Sequence, residues 1–132
     1  MVRSILSVID IDDSIAYYST RLGFSLNWRL TGDEDRATFA SITLANSEIL
    51  LGTIDFIAPA DRQKLGTGVQ FHLELPPETD IAEHFSFARD SGADIVKELE
   101  KREWGERAYM VKDPEGYNFM IAQPAPEPST ES

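Results

Sequence analysis

The chain has no cysteine and only two histidines in 132 residues. The first absence excludes disulfides, thiolate nucleophiles, zinc fingers and iron–sulfur clusters together. The second leaves His72 and His84 as the whole supply of imidazole ligands. No apolar run approaches the ~20 residues needed to span a bilayer. The opening "MVRSILSVIDIDD" places Asp10, Asp12 and Asp13 where a signal peptide would carry small residues and a cleavage site. Basic residues are scarce as well, 12 Lys and Arg against 23 Asp and Glu, for a formal net charge of −11. That balance disfavours nucleic acid and anionic membrane surfaces as partners and favours cationic ligands, although a solvated acidic surface carries the same charge. These absences together predict a cytoplasmic protein of one ordinary domain.

What is present is a regular order of elements. Residues 3–9, "RSILSVI", read as a short strand. A helix follows, with Asp12 or Asp13 as N-cap, an apolar face of Ile11, Ile15, Tyr18 and Leu22, and Gly23 as its stop. "FSLNWRL" alternates, with Phe24, Leu26, Trp28 and Leu30 on one side, the pattern of a half-buried strand. Two more strands, "ATFASITLA" and "EILLGTI", flank a turn at Asn46 and Ser47. Residues 58–67 mix Pro, Gly and charge without a period and read as a linker. The order then repeats: "GVQFHLEL" is a strand, "DIAEHFSFARDSG" a helix with Ile81, Phe85 and Ala88 on one face and Gly92 at its end, and "DIVKEL" a strand. Two last strands flank Asp113-Pro114-Glu115-Gly116, which has the residues of a type I turn.

The chain is thus βαβββ written twice, module one over 1–57 and module two over 68–123, forming a single domain over 1–123. Each unit is too small to bury a core alone. The expected fold is α+β: two βαβββ modules in tandem make a curved, partly open mixed-sheet barrel, with helices outside and a central cleft. Residues 124–132, rich in Pro, Ser and Glu, read as a disordered tail.

Strand alternation sorts the candidate site residues. Val69, Phe71, Leu73 and Leu75 share the face that meets the helices, which turns Gln70, His72 and Glu74 toward the cleft. Phe119 and Ile121 take the helix side and leave Asn118, Met120 and Ala122 inward; Arg3, Ile5 and Ser7 face inward in the first strand. His84, on the second helix, is expected to be exposed.

"DIDDSIAYYSTRLGF" resembles the first-helix signature of the vicinal oxygen chelate superfamily, which contains glyoxalase, extradiol dioxygenases and bleomycin-resistance proteins. "DPEGYNFMI" resembles its closing turn and strand, and the doubled βαβββ order agrees with both. The resemblance implies one divalent metal at the centre of the cleft, held by a residue from the first and last strand of each module. Those positions fall here at Arg3, about Leu50, Gln70 and Met120. A cation, a hydrocarbon, a neutral amide and a soft thioether do not suit a hard divalent ion, so neither metal nor other cofactor is expected.

Loss of the ligands, acidity and the Trp-Gly ahead of the closing hairpin resemble the metal-free bleomycin-resistance branch. That implies a homodimer whose grooves sequester a cationic or aromatic small molecule such as an antibiotic. The ligand-binding candidates are Arg3, Gln70, His72, Glu74, Trp104, Tyr109, Asn118 and Met120. Trp28 and Phe39 are further aromatic faces, with core packing the simpler expectation for Trp28. The alternative is a lyase or dioxygenase-type enzyme of the same superfamily. It would use a rearranged metal site of Gln70, His72 and Glu74, or His72 and Glu74 as an acid–base pair.

Overall fold

The computed structural model describes residues 2–55, 57–103 and 105–124; the expected tail beyond Pro124 lies outside the described residues. Module one contains β1 (Ser4–Val8), α1 (Ile11–Leu22), β2 (Ser25–Thr31), β3 (Ala37–Leu44) and β4 (Ser47–Thr53). Module two contains β5 (Gln70–Glu74), α2 (Ile81–Asp90), β6 (Asp94–Lys101), β7 (Arg107–Lys112) and β8 (Asn118–Gln123). Each module forms a four-stranded mixed sheet, ordered β1-β4-β3-β2 and β5-β8-β7-β6. In both, the first strand runs parallel to the last while the other pairings are antiparallel. The sheets are not closed, in agreement with the partly open α+β architecture expected. Among the described residues, no helix is long and apolar enough to cross a membrane.

The cap of α1 is Asp10, whose carboxylate accepts from the Asp13 amide at 2.9 Å, instead of the expected Asp12 or Asp13. The sequence offers three aspartates within four positions, and tertiary partners choose among them. Asp12 is taken by Arg29 on β2 at 2.8 Å and by the Ala37 amide at 3.1 Å. Gly23 ends the helix in the left-handed region at φ 80°, which only glycine adopts without cost. The linker differs from expectation too, since Pro59–Lys64 forms a 3₁₀ turn. Its following residues pack on the closing hairpin so closely that a side chain on Gly116 (φ 103°) would stand 2.8 Å from the Leu65 carbonyl oxygen.

The alternation of β2 is broken by a bulge. Leu26 pairs with Ile42, whereas Trp28 pairs with Ser41 and Leu30 with Phe39. An extra residue reverses which side chains face which way. Phe24 therefore reaches the core and packs edge-on to Tyr18 at 5.2 Å, while Trp28 and Leu30 turn to the opposite face. The expectations of a half-buried strand and of Trp28 as core both fail here: Trp28 remains 38% exposed and Leu30 55% exposed.

The helix-facing sides of both sheets and the helices share one core, which runs from Leu6, Leu22 and Leu51 in module one to Leu73, Ile81 and Phe119 in module two. Buried polar groups cross the same boundary. The Tyr18 hydroxyl donates to Asp113 Oδ2 at 2.6 Å, and the Tyr117 hydroxyl donates to the Ser7 carbonyl at 2.9 Å. Asp113 Oδ1 accepts from the amides of Glu115 and Tyr117 at 3.0 and 2.8 Å. The turn is thereby formed and docked onto α1 by one carboxylate.

Removal of the Tyr18 hydroxyl leaves a buried carboxylate oxygen without its donor, so Tyr18→Phe is expected to lower unfolding stability by about 1–3 kcal/mol in denaturant titration. Burial also pushes the Asp113 carboxyl above its usual 3.8, against the hydrogen bonds from Tyr18, Tyr117 and Glu115. The folded state then keeps a proton that the unfolded chain has lost. Wild-type stability relative to Asp113→Asn is therefore greatest below 3.8 and falls as pH rises through the window above it.

Candidate functional site

With the helices on one face of each sheet, the opposite faces are open, and the two differ in character. In the first sheet, Arg3 pairs with Glu48 at 2.9 Å, and the Ser41 hydroxyl donates to Glu48 at 2.6 Å. Asn27 completes this polar end by donating to Ser41 at 3.3 Å. The other end is apolar. A side chain on Gly52 would touch Ile5 at 3.3 Å and the Phe39 ring at 3.6 Å, so glycine here leaves a shallow floor between them. Trp28 lies against Phe39 with ring centroids 5.6 Å apart.

The open face of the second sheet carries Gln70, His72 and Glu74 on β5, in register with Asn118, Met120 and Ala122 on β8. Met110 and Lys112 continue the rows on β7. The opposite phase supplies the core: Leu73 and Leu75 are buried, and Phe71 stacks on Phe119 at 5.2 Å. Two cavities divide the expected site residues. One, of about 860 Å³, is lined by His72, Glu74, Arg107 and Gln123, together with Asn46 and Ser47 of module one. The other, of about 600 Å³, is lined by Gln70, Met110, Lys112, Glu115 and Asn118.

His72 meets Glu106, not Glu74: its Nε2 lies 2.9 Å from the Glu106 carboxylate. Glu106 precedes β7 in the hairpin, so only folding brings it across the sheet, and alternation along β5 gives no sign of it. Glu48 was within reach of the sequence, because it stands two residues before Leu50 and shares its strand face. Met120 sits between His72 and Met110 in one row. Trp104 lies outside the described residues.

Two expectations are corrected. Tyr109, expected as a stacking face, is fully buried among the core residues on the helix side of its sheet. His84, expected to be exposed, is held between the modules, with Nδ1 2.6 Å from the Tyr109 hydroxyl and Nε2 2.9 Å from the Leu22 carbonyl. The carbonyl can only accept, which puts the ring proton on Nε2 and makes Nδ1 the acceptor for Tyr109. Both groups lie on the helix side because β7 runs with Tyr109 in phase with Val111, also fully buried.

The positions where the family's metal would sit do not fit one. Arg3 is committed to Glu48, Leu50 is buried hydrocarbon, and Gln70 and Met120 supply one neutral oxygen and one thioether, a poor donor set for a hard divalent ion. Of the rearranged set, His72 and Glu74 line one cavity and Gln70 the other; among the described residues, no group of three or more His, Asp or Glu side chains is placed to hold a metal.

The profile of the Glyoxalase/Bleomycin resistance protein/Dioxygenase superfamily matches residues 2–121. The chain belongs to that superfamily. Similar solved structures include TioX from Micromonospora sp. ML1, with a TM-score of 0.74 and 22% identity over 98% of this chain and 99% of that one. A superfamily member from Sphaerobacter thermophilus has a TM-score of 0.68 and 23% identity over 93% and 96%. Likeness at that identity shows the fold alone. The uncharacterized protein Mb0911c of Mycobacterium bovis is 39% identical over 62 residues, 47% of this chain and 39% of its own length. The match therefore spans well under half of that relative.

Burial holds the His84 imidazole below its usual 6.5, only partly offset by the bond to Leu22. The unfolded chain takes up a proton first as pH falls, so stability is expected to drop below pH 6.5. In His84→Gln that part of the pH dependence disappears, which denaturant midpoints measured across the range would show.

Proposed function

We propose that this chain is a small-molecule-binding protein of the glyoxalase/bleomycin-resistance type, acting without a divalent metal at the superfamily's usual position. The carrying observation is the aromatic pair formed where the β2 bulge turns Trp28 out of the core against Phe39 of β3, beside the floor at Gly52. A monomer leaves this surface open, with Ile5 and Leu30 each 55% exposed, and a second copy would cover it in a homodimer. The ligand class this supports is planar and aromatic, because exposed aromatic rings gain most from offset-stacked or edge-to-face contact with another ring. The chain's net charge of −11 favours a cationic member of that class, such as an antibiotic.

The enzyme reading is favoured by one observation, the His72–Glu106 pair at the wall of the larger cavity. An imidazole held by a carboxylate is arranged to move a proton. If it does, His72→Ala abolishes turnover of any substrate found. If the protein only binds, the variant changes affinity alone.

Calorimetry against cationic aromatic compounds, bleomycin-type ones among them, tests the binding role. Trp28→Ala is expected to weaken binding roughly tenfold, from the ~1–1.5 kcal/mol an aromatic contact contributes, and light scattering should give the mass of a dimer. Absence of heat at high micromolar concentration for all such compounds would remove the antibiotic version.

A further inference from the structure

The row formed by His72, Met120 and Met110 has a chemistry that the binding role does not use. These residues are lateral partners on three adjacent strands: His72 pairs with Met120, and Met120 pairs with Met110. Lateral partners in a sheet project to the same side, here the open face. Two thioethers and one imidazole therefore stand side by side.

Their immediate surroundings prepare them as donors. The Glu106 carboxylate lies 2.9 Å from His72 Nε2. An ionised carboxylate only accepts, so in the neutral ring the proton sits on Nε2 and the Nδ1 lone pair is left available. A carboxylate behind an imidazole is also the arrangement that orients and strengthens a histidine ligand. The Met110 sulfur lies 3.7 Å from the Gln70 amide nitrogen on β5. The two side chains thus meet over β8, the strand between them. Sulfur is a soft donor and favours cations such as Cu(I) over the hard ions Mg, Ca and Mn. The His72 side chain remains 48% exposed, so an ion has a way in.

We infer that His72, Met110 and Met120 form a binding site for a soft monovalent d¹⁰ cation, Cu(I) or its analogue Ag(I), on the open face of the second sheet. The chain has no cysteine and three methionines in all. Uptake of such an ion therefore cannot be assigned to a thiolate, and the thioethers are the soft donors that remain.

Ag(I), which needs no reductant, is the probe. The full chain, ¹³C-labelled at the methionine methyls, is titrated with silver nitrate in chloride-free buffer. Bound silver is measured after desalting, and zinc and nickel are run in parallel. The expected result is one equivalent of silver retained, no stoichiometric zinc or nickel, and movement of two of the three methyl signals. Met110→Leu and Met120→Leu keep the volume of the side chain and should each weaken binding by roughly tenfold or more, and His72→Gln by a similar factor. Glu106→Gln separates the orienting role from the ligands: it should shift the pH at which half the silver is released without changing the stoichiometry. Silver retained equally by the Met110→Leu/Met120→Leu double variant would overturn the assignment. So would methyl signals that stay in place, or no silver retained by the wild type.

Discussion

The carboxylate of Asp113 is the group on which the arrangement of the two modules rests. It is 4% exposed and accepts three hydrogen bonds, two from its own turn and one from the Tyr18 hydroxyl on α1. A buried anion persists only when its lone pairs are used, so the turn, the first helix and the second sheet must be in place together. The aromatic ring that carries the hydroxyl packs on Phe24 and on Phe119, at 5.2 and 5.7 Å, so the same residue supplies both the polar tie and the apolar contact between modules. Tyr117 repeats the pattern in the opposite direction by donating to β1.

Docking the modules through their helix-facing sides decides what is left for function. Both helices and the inner phase of every central strand are spent on one core, and the outer phases become the open faces. The faces then differ because of local events. In the first sheet a bulge delivers Trp28 and Leu30 to the surface beside Phe39, while an ion pair occupies Arg3. In the second sheet the hairpin before β7 brings Glu106 over to His72. One chain thus presents an aromatic, apolar face and a polar face carrying imidazole and thioether groups.

Much of this was legible in the chain. The doubled βαβββ order, the helix faces at Ile81, Phe85 and Ala88, the stop at Gly23 and the alternation of β5 all follow from local periodicity and turn chemistry, because each involves residues a few positions apart. The unsuitability of Arg3, Leu50, Gln70 and Met120 for a hard divalent ion was legible too, since donor chemistry belongs to residue type. The failures cluster where a choice depended on distant partners. Asp10 became the cap because Arg29 and the Ala37 amide claimed Asp12. His84 and Tyr109 were each misplaced because each found its partner in the other, across 25 positions.

The sequence by itself determined the elements, their repetition, the superfamily and the chemical types available at the cleft, since all of these are written in spacing and composition. Only the tertiary structure decided which polar groups meet: Glu106 with His72, Glu48 with Arg3, and Asp113 with Tyr18. The physical reason is that a single extra residue in a strand, or one hairpin crossing a sheet, reverses or relocates side chains without altering the local pattern that sequence reading depends on.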